Sequence, residues 1–250
     1  MSPLAALTIV DVYPGAMFPQ GDGGNLRMLE HRARARGVEV ETVGAPIGDP
    51  LPEADLYILQ GAEDEDQPAV ARLLAAEGTL ARAAAADKVV VGIGAGYEIL
   101  GRSFETPGGG TEAGLGLLDV TTTLGDHVDN RVVTRPAPRF GLPALAGYEW
   151  HRGRTALGPD PEPLAEVEIG VCNGGDPPTD GAVQGHVLGT YLHGPLLPRN
   201  PELADLLLGW ALGTELEPLR SEFAALAREE RIAEAREVWR RKQGLLSRFR

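Results

Sequence analysis

Cysteine is almost absent: Cys172 stands alone among 250 residues. One thiol excludes a disulfide within the chain and a zinc site built of thiolates, and it fits a reducing cytosol. Positive charge is also scarce. Lys and Arg number 23 against 36 Asp and Glu, a net charge of −13, which argues against a general binder of nucleic acid or of anionic membranes. No apolar run is long enough to span a bilayer. Met1 to Leu7 has neither the basic start nor the apolar centre of a signal peptide. The expectation is a cytoplasmic protein, without membrane insertion and without nucleic acid, whose partners are small molecules or proteins. Two further absences concern chemistry. Gly21-Asp22-Gly23-Gly24-Asn25 lacks the lysine and Ser/Thr of a phosphate-binding loop, so Asp22 and Asn25 read as helix caps. Val89-Val90-Val91-Gly92-Ile93-Gly94-Ala95-Gly96-Tyr97-Glu98-Ile99-Leu100-Gly101 reads as a buried strand, a tight turn and a helix start. Enzymes place nucleophiles on such an elbow, yet the tip here is Gly94 or Ala95, and neither has a side chain that attacks.

What is present predicts an α/β fold. Leu7–Tyr13, Val38–Val43, Leu56–Leu59 and Val89–Ile93 read as strands, and Asn25–Gly37 and Pro68–Ala86 as helices between them. That order gives a mostly parallel sheet flanked by helices, with a flavodoxin-like arrangement and ligand loops at the carboxyl ends of the strands. Leu117–Thr123, Arg131–Arg135 and Glu166–Val171 predict an antiparallel patch. Ala182–Val183 and Val187–His193 predict a returning strand pair that ends on His193, and Thr106–Gly116 and Gly174–Gly181 predict loops. Pro201–Leu212 and Phe223–Arg250 predict helices, the second ending in a basic tail. The expected division is a domain over 1–212 and a C-terminal helical extension over 213–250.

Each candidate residue carries two readings. His193, before Gly194-Pro195, is the base of a nucleophile–base pair or a plain loop histidine. Gly61 and Ala62 offer backbone N–H groups to an oxyanion or only turn the chain. Arg131 holds a substrate carboxylate or is an exposed strand arginine. His151, within Glu149-Trp150-His151-Arg152, belongs to a ligand rim or to a packed polar corner. Cys172 has no adjacent base and is a poor nucleophile. The basic tail docks a partner or is solvated.

Together these residues resemble class I glutamine amidotransferases of the cobyric-acid-synthase (CobB/CobQ-like) type. The elbow Gly92-Ile93-Gly94-Ala95-Gly96-Tyr97-Glu98-Ile99-Leu100-Gly101 is similar to that family's Gly-Ile-Cys-Gly-Gly-Tyr-Gln-Leu-Leu-Gly. Gly189-Thr190-Tyr191-Leu192-His193-Gly194-Pro195-Leu196-Leu197-Pro198-Arg199-Asn200-Pro201 resembles the histidine motif of its GatD branch, the glutaminase subunits of lipid II isoglutaminyl synthase. Asp64, Gln67, Asn130-Arg131 and Gly147-Tyr148-Glu149 with His151 and Gly153-Arg154-Thr155 match further. The resemblance implies a glutaminase that passes ammonia to a MurT-type, Mur-ligase-like partner during peptidoglycan amidation, with no cofactor and no metal. It puts the nucleophile at Gly94, the base at His193, and Asp22 as a group orienting that base. Oxyanion donors fall at Gly61, Ala62 and Ala95, and substrate contacts at Arg131, Tyr97 and Gln67. The departures are Gly94 for cysteine, Ala95 for glycine, Glu98 for glutamine and Pro195 where many relatives carry an acid, with Glu63, Glu65 and Glu98 adding negative charge. The expectation is a subunit of this fold without glutaminase activity. The alternatives are an active glutaminase in which a cysteine at 94 has been exchanged, and a module that binds an amino acid such as glutamine.

Overall fold

The computed structural model describes residues 6–17, 23–219 and 221–246. The first half alternates strand and helix: β1 (Ala6–Val12), α1 (Gly24–Arg34), β2 (Glu39–Ala45), β3 (Leu56–Leu59), α2 (Gln67–Glu77), α3 (Thr79–Ala85), β4 (Val89–Ile93) and α4 (Ala95–Leu100). A run of strands follows: β5 (Ser103–Glu105), β6 (Thr111–Ala113), β7 (Val120–Thr134), β8 (Ala146–Leu157), β9 (Ala165–Ile169), β10 (Thr179–Asp180), β11 (Ala182–Gln184) and β12 (Val187–Thr190). The chain closes with α5 (Leu196–Arg199), α6 (Pro201–Leu212) and α7 (Glu222–Leu246). No helix among the described residues is long and apolar enough to cross a membrane.

Two sheets form. The central one has the order β11-β12-β4-β3-β1-β2, parallel except for β11. Every residue of β3, β4 and β12 is buried, as expected for parallel strands covered on both faces. The chain runs outward from β1 to β2, then returns to the other side of β1 for β3, β4 and β12. The reversal opens a crevice beyond the carboxyl ends of β1 and β3, where open α/β sheets take ligands. The second sheet has the order β10-β9-β7-β5-β6, with β8 paired along the other side of β7. Its strand β7 is one 15-residue element, not the two short strands that the sequence predicts. A register irregularity between Leu124 and Val128 bends it midway. The predicted loops at Thr106–Gly116 and Gly174–Gly181 contain β6 and β10.

Alternation on β8 decides what each face does. Glu149, His151, Gly153 and Thr155 are buried toward the central sheet, while Tyr148, Trp150 and Arg152 are exposed. The opposite face of this sheet, at Val133 and Ile169, is covered by Ile232, Ala235 and Trp239 of α7. Arg236 adds a two-pronged pair to Glu168 at 2.7 Å on each arm.

The predicted helix Pro68–Ala86 is broken in two at Gly78, whose φ of +76° ends α2 and suits a residue without Cβ. His193 lies three residues beyond the end of β12, not on it. Asn25 does not cap α1: it sits inside that helix, donates to Gln60 Oε1 at 3.4 Å and accepts the first-turn N–H of Leu197 in α5 at 2.9 Å. Asp22, Gly21 and the final Arg248–Arg250 lie outside the described residues.

Candidate functional site

The elbow between β4 and α4 is the sharpest turn at the sheet's carboxyl edge. Gly94 has φ +58° and ψ −118°, a conformation open to glycine and strained for other residues. Its amide donates to Thr190 O at 2.9 Å, tying the elbow to β12. The close approach of α4 to the sheet needs Gly96, since a Cβ there would overlap the carbonyl of Leu59. A Cβ on Gly94, by contrast, would meet nothing nearer than Gly61 Cα at 3.9 Å. The tip of the turn has room for a side chain and holds only hydrogen.

A cavity of about 290 Å³ opens over this turn. Loops after four parallel strands supply its floor: Met17, Gln60 to Ala62, Gly94 with Ala95, and His193. The second sheet supplies its roof through His127, Trp150, His151 and Arg152. Gly61, Ala62, Ala95, Gly94, Gln67 and His193 therefore gather at one place, while Tyr97 and Arg131 do not line it. Tyr97 is wholly buried beneath the turn. Burial raises its hydroxyl well above the ordinary range, with Asp180 and Glu98 adding to the effect. Arg131 pairs across the strands with Tyr148, so it shares the face opposite His151, and it reaches Glu234 of α7 at 2.8 Å. One of its guanidinium nitrogens, Nη1, is buried without a partner.

His193 is held by its backbone: its N–H and carbonyl exchange hydrogen bonds with Tyr148 at 2.9 and 3.0 Å. Its Nε2 is buried without a partner. Burial lowers its pKa, and nearby His151 lowers it further, so the ring is neutral at pH 7. His151 is locked more firmly. Its ring stacks on Tyr191 with centroids 3.8 Å apart, and its nitrogens contact Gly153 O at 3.1 Å and Glu149 Oε2 at 3.3 Å. Burial lowers the His151 pKa against the opposing pull of Glu149. Glu149 also accepts the N–H groups of Val171 and Cys172 at 2.8 and 2.6 Å, and Asn130 Nδ2 at 3.1 Å. Burial alone would raise the Glu149 pKa; the donors, His151 first, hold it below the usual value.

Glu98 forms the acidic part of the floor. Gln67 donates to it at 2.8 Å and Tyr191 at 2.9 Å. Burial outweighs both donors and lifts its pKa to about 7. Glu63 and Glu65, predicted to charge the pocket, are exposed and do not line it. Cys172 is fully buried, and burial raises its thiol well above the ordinary value, so it is a poor nucleophile. His151, predicted as part of a ligand rim or of a packed polar corner, is packed in a polar corner and lines the cavity. Trp150 and Arg152, predicted with His151 as a ligand rim or a polar corner, also line the cavity; His127 on β7, which meets Trp150 edge to face at 4.9 Å, was missed.

A larger open groove of about 1170 Å³ lies along α6 and β11. Its acids are largely spoken for: Asp205 pairs with Arg32 and Arg36, Glu202 with Arg228, and Glu162 with Arg139. Among the described residues no group of three His, Cys, Asp or Glu could hold a metal ion.

Residues 13–201 match the family model of the CobB/CobQ-like glutamine amidotransferase domain. The chain is 32% identical over 205 residues to the GatD subunit of lipid II isoglutaminyl synthase (glutamine-hydrolyzing) from Staphylococcus aureus, covering 81% of this chain and 83% of that protein. It is 30% identical over 211 residues to the GatD subunit from Streptococcus pneumoniae, covering 82% and 80%. Among solved structures, PurLQS from Thermotoga maritima aligns with a TM-score of 0.54 at 21% identity over 84% of this chain and 98% of that chain, a likeness of fold alone. The predicted α/β architecture and the resemblance drawn from the elbow and histidine motifs agree with these matches.

Proposed function

Because the chain belongs to the CobB/CobQ-like glutamine amidotransferase family, we propose that it is a GatD-like subunit that lacks glutaminase activity. It works in the cytoplasm beside a Mur-ligase-like, MurT-type partner, with residues 213–250 as an accessory extension. The observation that carries this reading is Gly94 at the tip of an intact elbow. Amide hydrolysis by this route needs a side chain that attacks the carboxamide carbon, a base that takes its proton and returns it to departing ammonia, and N–H groups that stabilise the oxyanion. Gly61, Ala62 and Ala95, the proposed donors, and His193, the proposed base, line one cavity with Gly94, which supports this assignment. Without an attacking atom the acyl-enzyme never forms. Removing one member of such a unit lowers the rate by about a millionfold where the members act together.

A glutaminase assay tests this. The natural chain, alone or with its partner, should release no ammonia from glutamine, and Gly94→Cys should release it. Robust turnover by the natural chain refutes the reading. A second reading, a module that binds an amino acid without consuming it, draws on the cavity itself, which has Gln60, Gln67, Glu98 and His193 in its lining although the proposed nucleophile position is glycine. The two readings are compatible in one subunit.

A further inference from the structure

The outer face of the second sheet is only partly covered. α7 packs on it at Val133 and Ile169 and holds Arg131 through Glu234. Beyond Arg131 the face continues on β8 as the row Tyr148, Trp150 and Arg152, and here it lies open: Tyr148 is 36% exposed and Trp150 48%. Arg199 of α5 stands over the Tyr148 ring, 4.7 Å from its centroid. Burial lowers the Arg199 pKa, and the charge of Arg231, close by on α7, lowers it further. No carboxylate among the described residues pairs with Arg152, Arg199 or Arg231. One acid shares the row, Asp129 opposite Trp150, and it leaves positive charge in excess on a chain whose net charge is −13. Trp, Tyr and Arg are the types that carry most of the binding energy in protein interfaces, so a row built of all three marks a surface that is covered in use.

The matching surface is on the same chain. Glu63-Asp64-Glu65-Asp66 forms the turn before α2, with all four acids exposed and none in an ion pair among the described residues. Turn and row border one opening, since Asp64, Trp150 and Arg152 all line the cavity over the elbow. Within one copy they do not meet. A two-fold axis through that opening brings each onto its counterpart in a second copy, the geometry of an isologous dimer. We propose that this face is an interface between two copies of the chain, in which the Tyr148, Trp150 and Arg152 row of each, with Arg199 and Arg231, seats the Glu63–Asp66 turn of the other. A partner of another sequence with an acidic surface would satisfy the row and leave the acidic turn unmatched; a second copy satisfies both, twice. Each copy then covers the opening of the other's cavity.

Charge exchange followed by sedimentation velocity on the full chain tests this. The natural chain should dimerise below about 100 μM, less at high salt than at low. Reversing the row (Arg152→Glu with Arg231→Glu) or the turn (Glu63→Lys with Glu65→Lys) should each weaken self-association about 10-fold or more. An equal mixture of the two variants should dimerise again, because the lysine turn of one meets the glutamate row of the other while the natural row and turn meet at the second contact. Trp150→Ala should weaken the dimer, and neither reversed variant should rescue it. All the substituted residues are exposed, and matching thermal melts will show that the variants fold. A natural chain that stays monomeric at about 100 μM in low salt overturns the proposal, and if that monomer binds polyglutamate through Arg152 and Arg231, a partner of another sequence occupies the row. A dimer that both reversals leave within about twofold, or a mixture that fails to recover, overturns it as well.

Discussion

Replacing Glu98 by glutamine should remove a pH dependence of folding that this one carboxyl creates. In the fold its pKa is raised from 4.5 to about 7, chiefly by burial. A carboxyl with a raised pKa keeps a proton that the unfolded chain has already released, so the stability of the protein falls as pH rises from about 4.5 and levels off above about 7. Each pKa unit corresponds to about 1.4 kcal/mol, which makes the full span about 3 kcal/mol and the part between pH 6 and pH 8 about 1 kcal/mol. Glutamine matches the carboxyl in size and still meets the donors on Tyr191 and Gln67, whose amide turns over to accept. Urea unfolding of both proteins across pH 5–8.5 is the assay. Asp180, raised to about 6 by burial, also titrates in this range. It is common to both chains and cancels in the difference. The difference curve should therefore favour Glu98→Gln increasingly with pH, by about 3 kcal/mol at the plateau. Parallel curves across the whole range would refute the placement of Glu98 as a buried acid that is half protonated near neutrality.

Three further outcomes follow from single contacts. Glu149→Leu leaves the buried N–H groups of Val171 and Cys172 and the ring of His151 without an acceptor, at about 1–3 kcal/mol each, so this variant should not fold stably in urea titrations, while Glu149→Gln should lose far less. Arg236→Ala breaks a two-pronged pair with Glu168 that is partly exposed, and its urea midpoint should show a loss below about 1 kcal/mol. Gly94→Cys forces a Cβ into φ +58° and should destabilise by about 1–3 kcal/mol; its new thiol should react with a maleimide in the native protein, where Cys172, wholly buried, stays unlabelled until urea is added.

The strands of the central sheet were legible because their apolar runs match complete burial. Leu56–Leu59 and Pro201–Leu212 end where the sequence places them. Strand β8 was not legible, for a physical reason. Its buried positions include Glu149, His151 and Thr155, and polar residues at inward positions hide a period that is normally read from apolar ones. They are tolerated there only because distant segments satisfy them: the N–H groups of Val171 and Cys172, and the Tyr191 hydroxyl, which meets Thr155 at 2.8 Å. The gathering of His193, Gly61 and Gly94 at one sheet edge was legible from strand order alone. The separation of Arg131 from them was not, since it depends on a carboxylate 103 residues away on α7.

The elbow shows that the scaffold, not the residue at its tip, sets the local backbone. Glycine has access to most of the backbone map and would relax into a helix start or a plain turn if nothing opposed it. It does not relax here. The amide of Gly94 is fixed to Thr190 on β12, its carbonyl accepts the amide of Glu98 at 3.3 Å, and Gly96 presses the helix against β3. These contacts belong to neighbouring elements that also build the core, so exchanging the tip residue leaves them in place. The same contacts would hold a residue with a side chain at the tip as they hold the glycine. The cavity above survives for the same reason: its floor is the ends of four core strands, and its roof is a sheet locked by Glu149 and His151. Chemistry at such a site is lost through one side chain, while the shape that recognises a ligand is lost only with the fold.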